Sequence, residues 1–237
     1  MITDICSMYI LLVAATAFEI QPTIQLQGTE DARPAPTVRP LCGHEIAPLL
    51  TGVGALPTAW ALMRQISLRK PDLIIQAGIA GCYAPGHIGE VLAVKAEALG
   101  DIGVEEGGVF KTVFDLNLMD KNGPPFTNGL LVNPYQRLLD QTGLQQVKGI
   151  TVNEITTGKT RISWYQQNIA PVVESMEGGA LHYVCLKEGI PFLQIRSVSN
   201  DIGVRDKSKW NFPSAIANLN QRLAGLLRGL SPDTLTD

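Results

Sequence analysis

Four short apolar runs, at 9–15, 73–80, 91–96 and 192–198, constrain this chain more than any other feature. Each is closed by residues that favour turns. A strand with one face in water alternates polar and apolar side chains. These runs are instead continuous in Val, Ile, Leu and Ala, the pattern of strands covered by helices on both faces. Helical spacing fills the gaps between them. In GALPTAWALMRQISLRK, Leu56, Ala59, Trp60, Met63 and Ile66 recur at three- and four-residue steps, which predicts a helix with those residues on its buried stripe. Asn133-Pro134 predicts a helix start and Gly143 its stop. In MEGGALHYVCLKEG, Leu181, Val184 and Cys185 share a face, and Gly189 ends the helix ahead of Pro191. A last helix is expected from about Ser214 to Leu230, with Ile216, Leu219, Leu223, Leu226 and Leu230 in one stripe. Strands and helices interleave with no linker, repeat or low-complexity tract. That predicts a single α/β domain over residues 1–237 with a mostly parallel or mixed sheet.

Two segments stand outside this pattern. The proline-rich 27–48 predicts a loop or edge hairpin. Residues 100–130, rich in Gly, Asp and Asn, predict a long irregular segment, which in a compact domain is often functional.

Composition removes several classes of function. The net charge is −3 and Lys and Arg form no block, whereas nucleic-acid binding needs clustered cations against phosphates. Trp and Tyr are scattered and make no stacking platform. The cysteines at 6, 42, 82 and 185 show no CxxC pair, so no metal site is expected; they read as reduced, mostly buried thiols of a cytoplasmic protein. The apolar stretch from Met8 to Phe18 is short for a membrane span, and no Lys or Arg precedes it, so it reads as the first buried strand. No membrane partner is expected. Gly78 and Gly81 do not form GxGxxG, so a dinucleotide site is weakly supported and no cofactor is expected.

In an open α/β sheet, ligands gather beyond the carboxyl ends of the strands. Chemistry-bearing residues stand at four such points. Glu19 follows the first run, and Gly78, Ala80 and Gly81 end the second. Ser199-Asn200-Asp201 follows the run at 192–198, and Met176-Glu177 opens a helix. Each has a plainer reading. Glu19 could be solvated, the glycines could serve strand–helix packing, Glu177 could favour a helix N-terminus, and Asn200-Asp201 could be a cap or turn.

The stretches LLVAATAFEI, LLTGVGALPTAWAL, PDLIIQAGIAGCY, GEVLAVKAEALGDIGVE, ESMEGGALHYVC and RSVSNDIGVRDKSKWNFPSAIANLN together resemble the purine nucleoside phosphorylase/nucleosidase superfamily, over almost the whole chain. Within it, TGVGALPTA and the segment from Trp210 to Asn220 are most similar to the futalosine-hydrolysing branch. The resemblance implies a three-layer α/β/α fold around a central mixed sheet, nucleoside phosphorylase-like, and a homo-oligomer. It implies hydrolysis of futalosine, a small-molecule nucleoside, to hypoxanthine and dehypoxanthine futalosine for menaquinone synthesis. In related nucleosidases the glutamate after the first strand activates water, and Glu19 matches it. Glu177 matches the glutamate that holds the ribose hydroxyls, and Met176 the methionine packed on the sugar. Gly78, Ala80 and Gly81 match a backbone turn near the ribose, and Ile155 and Thr156 the segment that sandwiches the base. One departure matters: adenine-specific nucleosidases carry aspartate where this chain has Asn200.

The amide of Asn200 offers a donor to N7 and O6 of a 6-oxopurine, whereas protonating an adenine N7 calls for a carboxylic acid. Asp201 either assists or braces Asn200. Futalosine carries a benzoate, which a cation should meet. Arg205, nearest to Asn200, is the first candidate, with Lys207, Lys209, Lys159 and Arg161 behind it. A phosphorolytic phosphorylase, a methylthioadenosine/S-adenosylhomocysteine nucleosidase and a non-catalytic nucleoside-binding protein remain the alternatives.

Overall fold

The computed structural model describes residues 7–24 and 38–235. The chain runs β1 (Tyr9–Ala14), α1 (Ala17–Ile24), β2 (Arg39–Leu41), β3 (His44–Leu50), α2 (Ala55–Leu68), β4 (Leu73–Cys82) and β5 (Val91–Leu99). It continues through β6 (Gly103–Glu106), β7 (Val109–Thr112), β8 (Leu130–Val132), α3 (Gln136–Gln141), β9 (Gln146–Thr151) and α4 (Lys159–Asn168). It closes with β10 (Val173–Ser175), α5 (Gly178–Glu188), β11 (Phe192–Asp201) and α6 (Phe212–Gly229).

The four apolar runs became β1, β4, β5 and β11, and all four sit side by side. The large sheet has the order β10-β9-β5-β11-β4-β1-β3-β2, with β8 paired to β5. It is mixed: β3, β1, β4 and β11 are parallel neighbours, while β5 lies antiparallel to β11. β10 pairs with β9 on one side and β4 on the other, so β10, β9, β5, β11 and β4 form a closed ring.

Alternation along the buried strands splits the core into two layers. Ile10, Leu12 and Ala14 of β1 pack with Ile20 of α1, Leu138 of α3 and Leu219, Leu223 and Leu227 of α6. Tyr9, Leu11 and Val13 face the other way, against Leu62 and Ile66 of α2 and Leu181 and Val184 of α5. Helices on both faces explain why these strands carry no polar alternation, and the result is the expected α/β/α arrangement around a mixed sheet.

Several local expectations need correction. Three residues of the stripe assigned to α2 point outward, while Ile66 is buried as expected and Ala59 packs against the core: Leu56 is 81% exposed and Trp60 61%, and Met63 is exposed too. The buried face carries Thr58, Ala61, Leu62, Gln65 and Ile66. This helix is apolar on most sides, so three- and four-residue spacing fitted two faces equally. The helix expected at Asn133-Pro134 starts later, at Gln136, because the Asn133 side chain is used elsewhere: its amide donates to the Phe192 carbonyl (2.7 Å) and its Oδ1 accepts from Tyr135 N. α6 begins at Phe212, capped by Asn211, whose Oδ1 accepts from Ser214 N at 3.1 Å. Within 100–130, β6 and β7 form a separate hairpin. In the proline-rich stretch, β2 and β3 form the edge hairpin around Cys42-Gly43, both with positive φ. Cys42 is exposed there, while Cys82 and Cys185 are buried. Residues 27–37 and Cys6 lie outside the described residues.

Candidate active site

A cavity of about 270 Å³ opens where the carboxyl ends of the parallel strands converge. Its wall takes Thr16, Phe18 and Glu19 from the β1–α1 junction, Ala80 and Gly81 from β4, Met176 and Glu177 before α5, and Ser199 and Asn200 from β11. β3 and β4 flank β1 on opposite sides, so the cleft begins at a topological switch point.

Glu19 is aimed by the start of its own helix. Glu19 makes the carboxylate half of a capping box, reaching back to Thr16 three residues earlier. Glu19 Oε2 accepts from Thr16 N (2.9 Å) and Thr16 Oγ1 (3.2 Å), and Oε1 accepts from Ile79 N (3.1 Å). α1 is in turn tied to α6 by Asn220, which donates to the Glu19 carbonyl and accepts from Thr23 N and Oγ1. Glu19 is 5% exposed. Burial raises its pKa above the ordinary carboxylate value; Arg196 and the two backbone N–H groups pull it back, and Glu177 adds a smaller upward push.

Glu177 caps α5 and accepts from Gly54 N through Oε1 (3.1 Å). Its Oε2 meets Arg196 Nη2 at 3.4 Å. Arg196 is 1% exposed, and it also donates to Gln76 Oε1 (3.0 Å) and the Ile79 carbonyl (3.4 Å). This buried guanidinium therefore lies between the two carboxylates. The sequence reading missed it, although an Arg inside LQIRSVS was itself the signal. A charge in the middle of a buried strand must have partners.

Gly78, Ala80 and Gly81 lie in the extended strand β4, which corrects the expected backbone turn. Glycine is needed for close approach instead. A Cβ on Gly78 would stand 2.6 Å from Arg196 Nη1 and 2.8 Å from Glu19 Oε1. Gly78 thus leaves room for the Glu19 carboxylate and the Arg196 guanidinium to approach the same point of β4.

The register between β11 and β4 shifts between Val198 and Asn200, a bulge centred on Ser199 that re-aims the strand end. Ser199 Oγ donates to Asn200 Oδ1 (2.9 Å), and Asn200 Nδ2 donates to the Asp201 carbonyl (3.1 Å). Oδ1 accepts one bond there and one Nδ2 hydrogen goes to the Asp201 carbonyl, so the second Nδ2 hydrogen is available to a ligand. Asp201 braces Asn200 through its backbone, and its side chain is not part of the cleft wall.

Ile155 and Met176 line the cleft, while Thr156 is buried behind it and donates its N–H to Glu174. Arg205 lines the mouth, with its guanidinium 5.2 Å from the Trp210 ring centroid. Trp210 and Phe212 complete that wall as an edge-to-face pair. Of the other candidate cations, Arg161 is bonded to Glu105 and stacked over Phe110, and Lys159, Lys207 and Lys209 are exposed and do not line the cleft.

The model of the phosphorylase superfamily matches residues 9–231. The chain belongs to this superfamily. It is 29% identical to the futalosine hydrolase of Streptomyces coelicolor over 240 residues, covering 95% of this chain and 99% of that one. It is 28% identical to the futalosine hydrolase of Thermus thermophilus, covering 80% and 84%. Among solved structures, the 5′-methylthioadenosine/S-adenosylhomocysteine nucleosidase of Colwellia psychrerythraea, in complex with adenine, superposes with a TM-score of 0.78 at 18% identity over 95% of this chain and 97% of that chain.

Proposed function

We propose that this chain hydrolyses the N-glycosidic bond of futalosine, releasing hypoxanthine and dehypoxanthine futalosine for menaquinone synthesis. The chain is an N-glycosidase, as its homologues are; the substrate and the role of each residue form the proposal.

Glu19 orients a water on the ribose face opposite the base and takes its proton as the water oxygen attacks C1′. A positioned general base contributes roughly 10²–10⁴-fold, and a carboxylate with a raised pKa is the stronger base for it. Glu177 accepts hydrogen bonds from the ribose hydroxyls and places negative charge beside the developing oxocarbenium. Met176 packs against the sugar. The C1′–N9 electron pair leaves with the base, and Asn200 donates to the N7/O6 side as charge grows there. Arg205, over Trp210 at the mouth, receives the benzoate.

The observation that carries the substrate choice is the Ser199–Asn200 hydrogen bond. It supports an amide set with a free Nδ2 hydrogen for the base, complementary to a 6-oxopurine edge. A methylthioadenosine nucleosidase would want an acid there. A phosphorylase is disfavoured because Glu19, Glu174 and Glu177 all line the cleft and would repel phosphate. The exposed α2 stripe of Leu56, Trp60 and Met63 supports the homo-oligomer that the resemblance implies.

The test is base release from futalosine, inosine and methylthioadenosine, each with and without phosphate. Phosphate-independent hypoxanthine release confined to futalosine is expected. Release that needs phosphate reassigns the chain to phosphorolysis, and silence on all three reassigns it to binding. Asn200→Asp should weaken hypoxanthine release, and an unchanged base preference in that variant would defeat the Asn200 reading.

A further inference from the structure

One carboxylate in the cleft has no part in the mechanism above. Glu174 lines the cavity from β10, is buried, and has no ion-pair partner among the described residues. Its placement relative to Asn200 is fixed by β4. Glu174 is the antiparallel register partner of Gly81, and Asn200 is the parallel register partner of the same Gly81 on the other side. Two interstrand steps put their Cα atoms about 10 Å apart. Between them Gly81 carries no side chain and Ile202 packs over it: a Cβ on Gly81 would lie 2.4 Å from Ile202 Cδ1 and 3.4 Å from Asn200 Nδ2.

We propose that Glu174 is the acceptor for the N1–H of a bound 6-oxopurine, so that Glu174 and Asn200 grip adjoining edges of the base across Gly81. The inference rests on the 6-oxopurine reading above and adds a second determinant to it. Both contacts that hold Glu174 come from donors. Tyr83 Oη donates to Oε2 at 2.5 Å and Thr156 N donates to Oε1 at 3.1 Å. They lock the carboxylate in place and leave it with acceptor capacity only. A 6-oxopurine carries a hydrogen on N1, and adenine carries a lone pair there. Against a fixed carboxylate the first makes a charge-assisted hydrogen bond, and the second sets two acceptors face to face. Glu174 is thus a specificity-determining residue, and through Thr156 it also anchors the segment that brings Ile155 to the cleft.

The test is calorimetric binding of hypoxanthine, 1-methylhypoxanthine and adenine to the wild-type chain and to Glu174→Gln. A hydrogen bond to a charged group corresponds to roughly 10- to 100-fold in affinity. In the wild type, 1-methylhypoxanthine should bind that much more weakly than hypoxanthine. In Glu174→Gln, hypoxanthine should weaken by a similar factor while adenine improves, because the new amide can donate to its N1. A purely structural role for Glu174 would weaken all three ligands together, and an unchanged hypoxanthine-to-adenine ratio overturns the proposal while leaving the 6-oxopurine reading intact. A wild type that prefers adenine overturns both. Equal wild-type binding of hypoxanthine and its 1-methyl derivative overturns the Glu174 proposal alone, whether or not the variant folds.

Discussion

Glu97→Gln should make the protein more stable at alkaline pH and affect it much less at pH 5. Glu97 is fully buried in β5 behind the active site, where its Oε1 accepts from Thr151 Oγ1 (2.8 Å). The same hydroxyl oxygen accepts from Gly179 N, in the first turn of the helix that Glu177 caps. Desolvation pushes the Glu97 pKa up from 4.5 to about 7, against the Thr151 hydroxyl, Arg196 and Gln194, which favour the anion, and with a small further push from Glu177. The native state therefore holds a proton here that the unfolded chain gives up. Stability from this group is fully present below pH 4.5 and is lost as the pH rises through about 7. A shift from 4.5 to about 7 is 2.5 units, which corresponds to about 3 kcal/mol. A glutamine stays neutral, keeps an acceptor for Thr151, and removes that loss. Urea unfolding of both proteins from pH 5 to 8.5 should show the variant gaining about 2.5 kcal/mol over the wild type across the interval, since part of the loss has already occurred at pH 5. That gain matches a rise of roughly 5–10 °C in melting temperature for a chain of this size. A stability difference that stays constant over the interval, or a variant less stable at pH 8.5, refutes the assignment of a buried, titrating Glu97.

Gly78→Ala should lower turnover by at least roughly 10²-fold and stability by about 1–3 kcal/mol, since the new methyl displaces Arg196 and Glu19 from positions fixed by other bonds; kinetics with a melting curve checks it. Glu19→Gln should abolish most turnover while the folded content by circular dichroism is unchanged, and the wild-type kcat/KM should rise along an acidic limb placed above the usual carboxylate range. Asn220→Ala, which releases α1 from α6, should lower kcat more than it raises KM, whereas a purely structural loss would move stability without that split. Arg205→Ala should raise KM for futalosine and leave calorimetric binding of hypoxanthine, which lacks the benzoate, unchanged.

The sheet was legible because burial on both faces leaves a compositional mark: β1, β4, β5 and β11 are continuous apolar runs, and their ends hold the cleft. β9 and β10 left no such mark. Gln146–Thr151 is half polar because Gln146 and Lys148 are half-buried and bond to Asp140 and the Ile169 carbonyl while Thr151 meets the buried acid of β5, and Val173–Ser175 is too short to show a period. Glu19, Glu177 and Asn200 were legible because each stands where an element recognisable in the sequence ends or begins: Glu19 after the first apolar run, Glu177 at the start of a helix and Asn200 at the end of the 192–198 run. Arg196, Glu174 and Gly78 were harder for one shared reason. Their roles depend on what lies across the strand, and register between strands far apart in sequence has no local signature. The α2 stripe failed differently, since amphipathic spacing does not reveal which apolar face meets the sheet.

The most direct measurement is a single turnover of futalosine in water enriched in ¹⁸O, without phosphate, followed by mass spectrometry of both products. If Glu19 delivers water to C1′ while Asn200 steadies the departing oxopurine, the label appears in dehypoxanthine futalosine and the hypoxanthine is unlabelled. A sugar product without label, or turnover that begins only when phosphate is added, would contradict the placement of Glu19 as the base.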